Sequence, residues 1–86
     1  MLAGMAIYVA EAYLSRARAS DLEALRRTLR KDVLVRHVLS YFTPDQETAF
    51  HLLEANSVEA VREALARAGI TADRIGVAES LPGSSG

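Results

Sequence analysis

Two runs of strand-forming residues around a short polar break constrain this chain more than any other feature. Residues 33–42 read VLVRHVLSYF, residues 48–55 read TAFHLLEA, and Thr43-Pro44-Asp45-Gln46-Glu47 lies between them. Alternation at period two, bounded by turn residues, suits two paired strands. Proline pre-sets the backbone angle that a tight turn needs, and aspartate is at home beside it. The segment is therefore read as a β-hairpin. Strict alternation puts Val33, Val35, His37, Leu39 and Tyr41 on one face of its first strand. Leu34, Arg36, Val38, Ser40 and Phe42 take the other. The return strand has Thr48, Phe50, Leu52 and Glu54 on one face, and Ala49, His51, Leu53 and Ala55 on the other. Register decides how these faces match. With Tyr41 opposite Phe50, the two histidines point to opposite faces. With Tyr41 opposite Ala49, both share a face with Tyr41. A slip of one residue turns every side chain over, and the turn chemistry allows both pairings.

The rest of the chain supplies two helices and two more strands. Residues 5–13, MAIYVAEAY, are rich in β-formers and apolar on both faces, as in a strand covered on both sides. Ser20-Asp21-Leu22-Glu23 has the form of a capping box, and Leu22, Leu25 and Leu29 follow at helical spacing. Acids open this helix and Arg26, Arg27, Arg30 and Lys31 close it, which complements the helix dipole. Asn56 or Ser57 opens a second helix, with Asn56 and Glu59 as a capping pair. Its apolar stripe is Val58, Val61, Leu65 and Ala68, Glu63 and Arg67 stand one turn apart, and Gly69 suits a left-handed exit. Residues 74–81 form the last strand. The order β-α-β-β-α-β is the ferredoxin-like plan of the α+β class: a four-stranded antiparallel sheet with two helices on one face. The domain is expected to span residues 5–81, with residues 82–86 (PGSSG) as a flexible tail.

A chain of 86 residues makes one domain, and one so small buries only ~60% of its unfolded surface. Half of its residues are nonetheless hydrophobic. The sheet face away from the helices is apolar in places. Left bare, it would form a patch on the order of several hundred Å², which monomers rarely expose. A second copy covering it would give a homodimer, a dimeric α+β barrel. Cysteine is absent, which excludes disulfides, thiolate metal sites and cysteine nucleophiles, and fits a reducing compartment. Ten basic and eleven acidic residues leave a net charge of -1, so no bulk attraction draws the chain to nucleic acid or to an anionic membrane. No apolar run approaches the ~18 residues of a membrane span. The expected location is cytoplasmic.

Chemistry is sparsely written. There is no HExxH, no acid pair at fixed spacing and no phosphate-binding glycine loop. Two histidines and a tyrosine stand in an otherwise aliphatic hairpin. If they share a face, two imidazoles with a carboxylate such as Glu11 or Glu79 suit a transition metal, or a general base in a cavity. Tyr8, Glu11, His37 and Tyr41 are the candidate ligand-binding residues, and His51 is the candidate metal position.

Several segments also carry a family resemblance: Tyr8-Val9-Ala10-Glu11, residues 35–43 (VRHVLSYFT), residues 54–63 (EANSVEAVRE) and residues 68–75 (AGITADRI). Together they resemble a small bacterial family of unknown function with a nickel-binding member. The resemblance implies a ferredoxin-like fold, a dimeric barrel and, in some members, nickel or another divalent transition metal. Tyr41 and Glu11 match the family pattern. Leu39 and Ala64 fall where the family has histidines, and His51 falls where it has a cysteine. The expected function is that of a homodimer binding a small ligand or a metal ion. The alternatives are a cofactor-free monooxygenase or isomerase using a cavity histidine, and an assembly module.

Overall fold

The computed structural model describes residues 5–79. The tail 82–86 and the end of the expected last strand, Ser80 and Leu81, lie outside them. The chain forms β1 (Ala6–Tyr13), α1 (Leu22–Arg30), β2 (Val35–Thr43), β3 (Thr48–Ala55), α2 (Val58–Arg67) and β4 (Arg74–Ala78). All strand pairs are antiparallel, in the order β2-β3-β1-β4. This is the ferredoxin-like α+β fold, with both helices against one sheet face. No described helix is long and apolar enough to cross a membrane.

The hairpin register resolves in an unforeseen way, because both pairings occur. From Thr43↔Thr48 to Leu39↔Leu52 the strands keep the register that sets Tyr41 opposite Phe50. Between His37 and Leu39 the register shifts, and His37↔Leu53 to Val35↔Ala55 follow the other pairing. Val38 is the extra residue of a β-bulge, which leaves one residue unpaired and reverses the alternation beyond it. The strict alternation expected for β2 therefore fails. Cross-strand partners share a face, so the helix-facing rows are Phe42–Ala49–Ala12, Ser40–His51–Ala10–Ile75 and His37–Leu53–Tyr8–Val77. The open face carries Tyr41–Phe50–Glu11–Arg74, then Leu39–Leu52–Val9–Gly76. Val33 and Leu34 precede the strand and are exposed.

Small side chains on the inner face let the helices lie close to the sheet. Ala10, Ala12, Ala49 and Ala55 are buried there, beneath Leu29 of α1 and Val61, Ala64 and Leu65 of α2. Ala64 thus joins the expected stripe of α2 as a full core member. Leu53 sits at the centre with no exposed surface. Removing its branched side chain would cost ~2–5 kcal/mol by lost burial and the cavity left behind.

The helix ends show which local signals hold. Ser57, not Asn56, caps α2, its hydroxyl accepting from the Ala60 amide at 3.2 Å. The capping box expected at Ser20 does not form. Ser20 lies inside a 3-10 turn, Arg16–Asp21, that runs into α1, and Asp21 at the cap position makes no capping bond. Its carboxylate instead accepts from Arg18 at 2.9 Å, and Glu23 accepts from Arg26 at 2.9 Å. Charged neighbours have outcompeted the backbone amides. The N-terminus of the 3-10 turn is served from the hairpin: the Arg16 amide donates to the Glu47 carboxylate at 2.8 Å, and the Leu14 amide to the Glu47 carbonyl at 2.9 Å. Asp32, after α1, accepts from both Nε and Nη2 of Arg67 on α2, at 2.8 and 3.0 Å, and this partner holds its carboxyl below the usual range. The expected Glu63–Arg67 pair is present but longer, at 3.9 Å.

Gly69 ends α2 at φ 75°, with the Ile70 amide donating to the Leu65 carbonyl and the Gly69 amide to Ala66. This is the Schellman closure. Space is open around both Gly69 and Gly76, so only backbone angle separates them. Gly69→Ala is expected to lower stability by about 1 kcal/mol, since a Cβ disfavours left-handed backbone. Gly76→Ala, in an ordinary strand conformation, is expected to be neutral or stabilising by about 0.5 kcal/mol. Urea denaturation of the two variants checks this; equal effects would contradict it.

Candidate functional site

The bulge brings both histidines to the helix-facing side, where Ser40 joins them. The Ser40 hydroxyl lies 2.7 Å from Nδ1 of His51 and 2.8 Å from Nε2 of His37. Ser40 is buried, His51 has no exposed surface and His37 is half-buried. The three side chains form a line from the outer strand inward. Nε2 of His51 ends that line, buried and without a hydrogen-bond partner among the described residues.

His51 lines a cavity of about 350 Å³ between the sheet and the helix layer. Its apolar walls are Ala12, Leu14, Leu25, Ala49 and Ile70. The space exists because Ala12 and Ala49 are cross-strand partners, so two methyl groups stand where larger side chains would fill the layer. Polar groups lie at its exposed edge. Arg18 comes from the 3-10 turn, and Thr71 and Asp73 come from the loop before β4. That loop is pinned to β1: the Tyr13 amide donates to Asp73 at 3.0 Å, and the Asp73 amide to the Glu11 carbonyl at 2.7 Å.

Burial sets the electrostatics. It pushes His51 down from the ordinary 6.5 to about 4, with the neighbouring His37 adding to the effect. His37 is lowered too, first by burial and then by Arg30 and Arg26 of α1. At neutral pH the imidazole in the cavity wall is therefore uncharged.

The five residues expected to form the site divide between the two faces. Tyr8, His37 and His51 lie on the helix side, and Tyr8 packs against the core. Glu11 and Tyr41 share a row on the open face, where Tyr41 stacks on Phe50 at 4.9 Å between ring centres. Ser40, Arg18, Thr71 and Asp73 were not singled out. A serine amid large apolar residues of a strand was the available signal for Ser40; the edge residues carry none. Among the described residues, no three of His, Cys, Asp or Glu come together as a metal site. Both histidines instead spend a nitrogen on one hydroxyl, and the Glu11 carboxylate is on the other side of the sheet. The residues present do not fit an enclosed nickel site within one chain.

The low affinity of His51 for protons has a stability consequence. In the unfolded chain it binds a proton near 6.5, but in the folded one only near 4. Between these values the unfolded state holds more protons, so stability rises with pH there and is unaffected above. By pH 5 this residue alone is expected to cost about 2 kcal/mol. His51→Leu should flatten the slope of stability against pH between pH 5 and pH 7, read by urea denaturation. A slope equal to that of the wild type would refute the assignment.

A family model described as "Nickel responsive protein SCO4226-like" matches residues 5–77. Among solved structures, the crystal structure of SCO4226 from Streptomyces coelicolor A3(2) is similar, with a TM-score of 0.64 and 23% sequence identity over 90% of this chain and 96% of that one. At this identity the likeness concerns the fold. No curated protein matches. The family match covers most of the chain, and the protein belongs to the SCO4226-like family, described as nickel-responsive.

Proposed function

We propose that this protein is a homodimeric binding protein, without a reaction of its own, that takes a small molecule into the cavity lined by His51. One observation carries the reading: a neutral, fully buried imidazole, its Nε2 unpaired among the described residues, stands in the wall of a 350 Å³ space. An unpaired buried polar atom costs ~1–3 kcal/mol, so its place in this wall asks for a reason other than stability. The volume lies at the small end of ligand cavities, and aliphatic walls with few polar points are typical of them. The homodimer rests on the open face. Leu39 and Tyr41 are 48% and 44% exposed there, beside Phe50, Leu52 and Val9, with the Arg36–Glu54 ion pair at the rim. An apolar centre with a charged rim is the anatomy of a protein interface.

The family description favours a second reading, in which the bound species is a divalent metal ion such as nickel. A nickel shell needs more donors than one free imidazole nitrogen. This reading therefore requires groups from beyond the described residues of a single chain.

Three measurements separate these ideas. Ala49→Leu fills the cavity and is expected to abolish binding of small molecules seen by ligand-observed NMR; undiminished binding would sink the cavity reading. Calorimetry with nickel(II) chloride tests the metal reading. Stoichiometric heat that survives Ala49→Leu favours a metal bound elsewhere, and absence of heat removes it. Leu39→Asp is expected to turn a wild-type dimer into a folded monomer in sedimentation experiments. A monomeric wild type at micromolar concentration would end the dimer proposal.

A further inference from the structure

We infer that the occupant of the cavity is an aliphatic amine, its ammonium group held at the mouth by Asp73 and the end of α2, and its hydrocarbon body inside. The inference rests on the cavity reading above and specifies the class of ligand. Two independent features of the mouth favour a cation there.

The first is charge balance. Among the described residues, Arg18 and Asp73 are the charged side chains that line the space. Arg18 is already neutralised, because its Nε donates to the Asp21 carboxylate at 2.9 Å. Asp73 has no cationic partner among the described residues. Its Oδ2 accepts from the Tyr13 amide at 3.0 Å, a neutral donor, and its own amide donates to the Glu11 carbonyl at 2.7 Å. These two bonds clamp the residue to β1 and hold the carboxylate in place. A carboxylate accepts at both oxygens, so Oδ1 remains available to a donor from outside the chain. Deeper in the wall, His51 is uncharged at neutral pH and adds no opposing charge.

The second feature is the helix. Gly69, Ile70 and Thr71 follow α2 directly and line the same space. The negative end of the α2 dipole therefore abuts the mouth, and helix ends of this sign favour cations. Arg67, the basic residue of the last turn, is committed to Asp32 at 2.8 and 3.0 Å. An anionic ligand meets the reverse of all this: a carboxylate and a negative helix end oppose it, and the nearby arginine is already paired.

The body of the ligand follows from the walls. Ala12, Leu14, Leu25, Ala49 and Ile70 are aliphatic, and burying hydrocarbon among them supplies most of the affinity. The ammonium group stays at the exposed edge, keeps part of its water and avoids the cost of burying a charge.

The test compares isopentylamine, isopentyl alcohol and isocaproate, which share one branched chain and differ in head group. Methylammonium serves as the head alone. Binding at pH 7 is followed through the backbone amide signals of Tyr13, Thr71 and Asp73 in the intact protein. The amine is expected to bind about fivefold more tightly than the alcohol, from the carboxylate and the helix end together, and isocaproate most weakly. Asp73→Asn keeps an acceptor for the Tyr13 amide and removes the charge; amine and alcohol should then bind within about twofold of each other. High salt should narrow the difference in the wild type. Alcohol or isocaproate binding as tightly as the amine, or a fivefold preference that survives Asp73→Asn, overturns the amine assignment and leaves the cavity reading standing. Methylammonium binding as tightly as isopentylamine overturns it too, since the hydrocarbon body would then be idle. If none of the branched compounds binds, or if Ala49→Leu leaves their binding undiminished, the cavity reading fails and the inference falls with it.

Discussion

Val38 has no partner on β3, and the placement of the chemically interesting side chains follows from that one irregularity. In a regular hairpin His37 and Ser40, an odd number of residues apart, would stand on opposite faces. The bulge reverses the alternation once, so both reach the helix side and meet His51 from the neighbouring strand. The same reversal leaves Leu39 and Tyr41 on the open face, where they complete an apolar strip with Leu52 and Phe50. One extra residue thus sorts a polar triad inward and an apolar surface outward.

What the triad can do depends on the alanines around it. Ala10 beside His51, and the Ala12–Ala49 pair in the next row, leave open space next to a fully buried imidazole. Larger residues would have filled the layer and made His51 an ordinary core histidine. Its Nδ1 is satisfied by Ser40 and its Nε2 has no partner among the described residues. The edge of the cavity is held by Asp73 and Glu47, whose carboxylates accept from the Tyr13 and Arg16 amides and whose backbones bond Glu11 and Leu14, so the polar groups there are positioned by the hairpin turn and by β1.

The fold was legible in the residues because its signals are local and concordant. Gly69 marks the end of α2, the stripe of Val61 and Leu65 marks its buried face, and the order of elements leaves the ferredoxin-like plan as the natural solution. Signals failed where two local chemistries competed. Ser20 and Glu23 match a capping box, but Arg18 and Arg26 take the nearby carboxylates and a 3-10 turn precedes the helix. The site was legible only in part. His37 and His51 could be picked out, but not their common face, because a bulge leaves no compositional mark at Val38. Glu11 and Tyr41 were grouped with them as a carboxylate and a hairpin tyrosine that also match the family pattern, and the pairing separates them. The cavity itself is a product of small residues opposite one another, which only register reveals.

β2 is also an edge of the sheet, and β4, the other edge, is a short strand with a glycine at its middle. Exposed edges invite further strands, and proteins blunt them by shortening or bulging them. Here the unpaired Val38 interrupts one edge and brevity limits the other. Growth of the sheet sideways into larger aggregates is thereby hindered, although the chain is half hydrophobic. The irregularity that gathers the histidines therefore also blunts the β2 edge against strand-by-strand extension.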